Sequence, residues 1–283
     1  MIARIVPILI LAALTGCGSG AGRKNTVVAA FYPLAFAAQT MSPSAKVENL
    51  TSPGVEPHDL ELTPQAVARI EKAAVVVYLS HGFQPAVSNA VKSAGGRTVD
   101  ILQGLPLHSA SGQEAGLTAD PHVWLDPVLF QRIVRRIAAA LPRPVHAAPL
   151  IADLRALDRD YRLGLAHCSR KNIVTSHAAF GYLAQRYGLH QVPITGLTPE
   201  SEPTPKQLAH VIQLVRQTHA TTVFFERLVS PRLADTVARE VGALTAVLDP
   251  IEGLTSSEQQ HGENYLTLMR ENLAALRKAL ACR

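Results

Sequence analysis

Three histidines and one aspartate in this 283-residue sequence stand where they could bind a metal ion. His58 lies in SPGVEPHDLEL, His122 in DPHVWLDP, His177 closes NIVTSH and Asp249 closes LTAVLD. In open α/β sheets, ligands bind beyond the carboxyl ends of the strands, so polar residues at those ends are the ones that can converge. Three imidazole nitrogens and one carboxylate oxygen make a four-coordinate set suited to Zn²⁺. The four positions are too far apart for a local metal motif, and each has an ordinary structural use. His58 and His122 could satisfy loop backbone, His177 could bond a neighbour at a helix start, and Asp249-Pro250 could be one more helix cap. No HExxH occurs. Four protein ligands would also close the position that a catalytic water needs, so an enzyme is not expected.

Bringing these residues together requires strands that end on one cleft. TVVAAFY (26–32), KVENLTS (46–52), AAVVVYLS (73–80) and RTVDI (97–101) read as strands in the first half. NIVTSH (172–177), QVPITGL (191–197), TTVFFE (221–226) and LTAVLD (244–249) read so in the second. AAVVVYLS is apolar almost throughout, as suits a strand buried on both faces. Helical patterns lie between them, and Thr63-Pro64, Asp126-Pro127, Thr204-Pro205 and Ser230-Pro231 each set a capping side chain before a proline at the first helical position. Strands alternating with helices predict parallel sheets with right-handed crossovers. Leu150, Leu154, Leu157, Tyr161 and Leu165 recur at helical spacing and predict a long helix from about Pro149 to His167. The expected fold is α/β, with two lobes over 26–127 and 168–283, each a roughly four-stranded parallel sheet with flanking helices. A helical connector over 128–167 joins them, and a cleft lies between.

The first residues stand apart from this pattern. Residues 1–16 carry one positive charge and the apolar run IVPILILAAL, too short to span a bilayer, and read as a signal peptide. LTGC resembles a bacterial lipobox, which implies a lipid anchor on Cys17, and residues 17–25 read as a flexible tether. No later stretch reaches the length of a membrane span. In an exported chain the remaining pair, Cys168 and Cys282, is expected to form a disulfide; two buried thiols are the alternative. The net charge of +5 comes from Arg and Lys interleaved with acids, and no aromatic platform accompanies them. That distribution argues against nucleic acid as a partner.

EPHDLELTP, DPHVWLDP, TSHAAFGYLAQRYGL, TPESEPTPKQL and LDPIEGL followed by YLTLMRENL resemble, in that order and over nearly the whole mature chain, the solute-binding receptors of bacterial zinc and manganese ABC importers. The resemblance implies two α/β lobes bridged by a rigid helix, with one metal held in the cleft by His58, His122, His177 and Asp249. It also implies a monomer with little lobe motion that delivers its metal to a membrane permease. His177 indicates the zinc-type branch, since manganese-type members tend to carry Glu there. A Mn²⁺ receptor and a metal-binding surface adhesin are the alternatives. Two departures stand out. HSASGQEAG replaces the long His-rich loop of many zinc receptors and leaves His108 alone. Ser80-His81-Gly82 replaces the Asn-Gly of many relatives and makes His81 a candidate extra or alternative ligand.

Overall fold

The computed structural model describes residues 25–110, 116–142, 144–200 and 203–283; the expected signal peptide and Cys17 lie outside them. The first lobe runs β1 (Thr26–Ala29), α1 (Tyr32–Met41), β2 (Lys46–Asn49), α2 (Pro64–Lys72), β3 (Val75–Tyr78), α3 (Pro85–Ala90) and β4 (Arg97–Asp100). A 3₁₀ turn at Val123–Leu125 leads into α4 (Pro127–Ala140) and then α5 (Ala147–Gly164). The second lobe runs β5 (Asn172–Thr175), α6 (Gly181–Tyr187), β6 (His190–Pro193), α7 (Pro205–Thr218), β7 (Thr222–Phe225), α8 (Arg232–Val241), β8 (Leu244–Val247), α9 (Ser256–His261) and α10 (Tyr265–Ala279).

All eight expected strands form, and they pair in parallel as two sheets of order β2-β1-β3-β4 and β6-β5-β7-β8. The two halves therefore repeat one topology, second strand beside first, then third, then fourth. The central strands carry the apolar runs because helices cover both their faces. Val75, Val76 and Val77 of β3 are buried, as are Ile173 and Val174 of β5.

Helix starts follow the sequence signals. Thr63 accepts the Ala66 N–H, Asp126 accepts the Val128 and Leu129 N–H groups, and Thr204 forms a reciprocal box with Gln207. The fourth expected cap differs. Pro231 takes the cap position of α8, and no side chain caps that helix.

Helix α5 is the expected connector. Its 18 residues span about 27 Å, and it packs against α1, α4 and α10. Leu150, Leu154, Leu157 and Tyr161 are its buried face, and the Tyr161 hydroxyl donates to Met269 O at 2.7 Å. One apolar core runs without interruption from Val27 and Phe31 through Trp124 and Leu154 to Phe224, Leu248 and Leu276. A smaller cluster around Val215, Val223 and Val237 lies under α7 and α8. Cys168 and Cys282 form the expected disulfide, which ties the segment before β5 to the end of α10. Among the described residues, no helix is long and apolar enough to cross a membrane.

Candidate metal site

The loops at the carboxyl ends of the strands meet between the lobes. His58 comes from the loop between β2 and α2, where Gln84 Nε2 donates to Pro57 O at 3.1 Å. His122 precedes the 3₁₀ turn that leads to α4. His177 lies two residues beyond β5. Its carbonyl accepts from Thr175 Oγ1 at 2.7 Å and Gln191 Nε2 at 3.0 Å, and the next helix does not open until Gly181. These three expected residues do converge.

The fourth does not. Glu252, from the loop after β8, stands with the three histidines, and one ligand atom from each lies within 4.8 Å of all the others. Asp249 is turned away, with Oδ1 accepting the Ile251 N–H at 2.7 Å and Oδ2 paired with Arg227 at 3.0 Å. The reason is local. Asp249 is bonded into its own turn, and that turn swings the residue three places on into the cleft. His81 is also outside the cluster; its Nδ1 bonds Thr118 Oγ1 at 2.8 Å. His108 stacks on Tyr182, with ring centroids 4.0 Å apart, and bonds Gln185.

All four members of the cluster are buried. Glu252 Oε1 lies 3.0 Å from His122 Nε2, 3.4 Å from His58 Nε2 and 3.6 Å from His177 Nε2. Donors at Zn–N distances of 2.0–2.1 Å on a tetrahedron are separated by about 3.3 Å, so these spacings already match its edges. His177 Nε2 and Glu252 Oε2 are buried and make no hydrogen bond to any described residue. Buried polar atoms are seldom left unpaired without a functional reason, and a cation is what this donor set would satisfy.

Two carboxylates behind the histidines fix which ring nitrogen faces inward. His122 Nδ1 donates to Asp120 Oδ1 at 2.7 Å, and His177 Nδ1 donates to Glu226 Oε1 at 2.8 Å. Each leaves Nε2 for the cation and raises its basicity. Glu226 carries no motif that singles it out in the sequence. Its position at the end of β7, level with His177 at the end of β5, was the available signal.

The charges respond to this packing. Burial alone would lower the His177 pKa, but the carboxylates of Glu226 and Glu252 raise it well above the ordinary imidazole value. His122 is raised too, because hydrogen bonds to Asp120 and Glu252 outweigh burial. Burial lowers His58. Glu252 resists burial because the three imidazoles hold its carboxyl well below the usual range. Beside it, burial and the Glu252 charge push Glu56 up to about 10, so Glu56 keeps its proton at neutral pH.

Two repeated α/β lobes, a helical connector and a closed His₃Glu cage define a metal-binding solute receptor. Residues 27–279 match the family model described as ZnuA, zinc-uptake complex component A, periplasmic, and the chain belongs to that family. It is 37% identical over 288 residues to the high-affinity zinc uptake system protein ZnuA of Bacillus subtilis, covering 94% of this chain and 90% of that protein. It is 35% identical to the zinc-binding lipoprotein AdcA of Streptococcus pneumoniae, covering 90% of this chain but only 56% of AdcA. The crystal structure of the Zn(II)-bound ZnuA-like domain of that AdcA superposes with a TM-score of 0.76 at 35% identity, over 92% of this chain and 99% of the domain.

Proposed function

We propose that this chain is an extracytoplasmic receptor that captures Zn²⁺ in the interlobe cleft and delivers it to the membrane permease of an ABC importer. The ligands are His58 Nε2, His122 Nε2, His177 Nε2 and the Glu252 carboxylate. The observation that carries the reading is the preformed, buried N₃O cage with tetrahedral-edge spacings. Zn²⁺ accepts that geometry, whereas Mn²⁺ binds a given site more weakly and prefers more oxygen ligands. Selectivity therefore rests on His177, the position where an oxygen donor would favour manganese. The family description, periplasmic, supports an extracytoplasmic location, and the LTGC sequence supports a lipid anchor on Cys17.

Competition titration of the chelator-stripped protein against a zinc chelator tests the site. One tightly bound zinc per chain is expected, with weaker zinc binding and a smaller gap to manganese in His177→Glu. Unchanged zinc affinity in both His177→Glu and Glu252→Ala would place the site elsewhere. For the anchor, Cys17→Ser is expected to release the chain from membranes or leave it unprocessed. A variant that stays anchored and is cut normally refutes it.

A further inference from the structure

The turn that presents Glu252 is held in a conformation its sequence disfavours. Ile251 has φ 57°, in the left-handed region, where a β-branched residue is an outlier. Its side chain is fully buried. Backbone of this kind persists only where the surroundings over-determine it, and it gathers at functional sites. Here the surroundings are visible. Asp249 Oδ1 accepts the Ile251 N–H at 2.7 Å, and Trp124 Nε1 donates to Pro250 O at 2.7 Å. Asn272 clasps the Asp249 backbone from α10, accepting its N–H at 2.8 Å and donating to its carbonyl at 2.6 Å. Arg227 holds the other Asp249 oxygen and is itself fixed by Glu258 of α9 at 2.7 Å and Glu271 of α10 at 2.9 Å.

We infer that Asp249 is the positioning residue for Glu252: its hydrogen bond to the Ile251 N–H holds the left-handed turn that aims the Glu252 carboxylate at the three imidazoles. This inference rests on the zinc-receptor reading of the same cage. Returning Ile251 to an ordinary negative φ would swing its successor onto another course and open the fourth coordination position to water. The two Asp249 oxygens divide the work. Oδ1 sets the turn, and Oδ2 ties it to the Arg227 brace, which keeps two other carboxylates without it.

That division makes the roles separable. Asp249→Asn keeps an acceptor for the Ile251 N–H and loses the charge. Asp249→Glu keeps the charge and carries its acceptor too far out to close the turn. The metal-stripped parent, both variants and Glu252→Ala are titrated with Zn²⁺ against a chelator. Each is then loaded with Co²⁺, whose visible absorption weakens as a four-coordinate site gains water; thermal unfolding of the metal-free proteins runs alongside. Asp249→Glu is expected to lose 10- to 100-fold in zinc affinity, the usual cost of disturbing a residue behind a ligand, and to show the weakened cobalt spectrum. Asp249→Asn is expected to keep the parent spectrum and most of the affinity. Parent-like binding and spectrum in Asp249→Glu, or an Asp249→Asn as impaired as Asp249→Glu, overturns the inference while leaving the receptor reading intact. A parent that holds no tight zinc defeats both.

Discussion

Zinc should enter this site in exchange for protons, and the count follows from the charges already placed there. In the metal-free protein His122 and His177 are both raised above the ordinary imidazole pKa, His177 well above it. His177 therefore holds a proton near neutral pH and His122 holds one more readily than a free imidazole, while burial favours neutral His58 and the imidazoles keep Glu252 ionised. Zn²⁺ needs the Nε2 lone pairs, so those protons must leave. Where both imidazoles are protonated, two protons out and one dication in leave the charge of the cage unchanged, which avoids the cost of adding a net charge to a buried site. Each proton released is linked to about 1.36 kcal/mol of binding free energy per pH unit, so release of both amounts to about 2.7 kcal/mol, near a hundredfold in affinity. The sign is fixed by the raised pKa values. Protons compete below them, so affinity climbs with pH, with the steepest slope below the His122 pKa. The slope then falls to one proton and flattens above the His177 pKa. Calorimetric titration in buffers of different ionisation enthalpy measures the protons directly. About one to two per zinc are expected near pH 7. A binding enthalpy independent of buffer, or an affinity flat from about pH 6 to 8, would refute the charge assignment.

Three further outcomes are expected. Glu226→Gln removes the charge behind His177 and should lower zinc affinity about tenfold, with fewer protons displaced at neutral pH; an unchanged proton count argues against its role. Replacing Cys168 and Cys282 together by Ser should lower the urea midpoint, by about 4–5 kcal/mol of stability at most for a loop of this size, with zinc stoichiometry retained. Thr204→Ala removes the N-cap of α7, far in sequence from the cage, and should cost about 1 kcal/mol without altering zinc affinity, by the same two measurements.

The apolar runs announced the strands because central parallel strands are buried on both faces and leave no room for polar alternation. The helix starts at Pro64, Pro127 and Pro205 were legible because a capping side chain followed by proline has few other uses. The histidines were legible as a set because each lies near a strand end or a helix start that the topology brings to one cleft. Glu252 was not. It lies three residues beyond Asp249, both are carboxylates after the same strand, and periodicity ends where the strand ends. What chooses between them is the left-handed Ile251, and nothing in the identity of an isoleucine signals that conformation. Glu226 was hidden for a related reason. It touches no cation in the expected scheme, and its partner, the outer nitrogen Nδ1 of His177, is defined only once the second lobe is folded. Ser230 misled because the helix begins one residue later than the Ser-Pro pair suggests.

The chain holds a single tryptophan, and it sits against the cage. The Trp124 ring lies 5.2 Å from the His122 ring, fully buried, with its N–H bonded to the turn that leads to Glu252. A protonated imidazole quenches indole emission, whereas a zinc-bound one has shed that proton. Because His122 is raised above the ordinary imidazole pKa, emission from this indole is expected to brighten as zinc fills the cage, and a fluorescence titration of the metal-free chain checks it. No dye, engineered residue or second indole complicates the signal. Capture and release can be timed on the unmodified chain, and a permease that draws the metal out would dim the light as it does so.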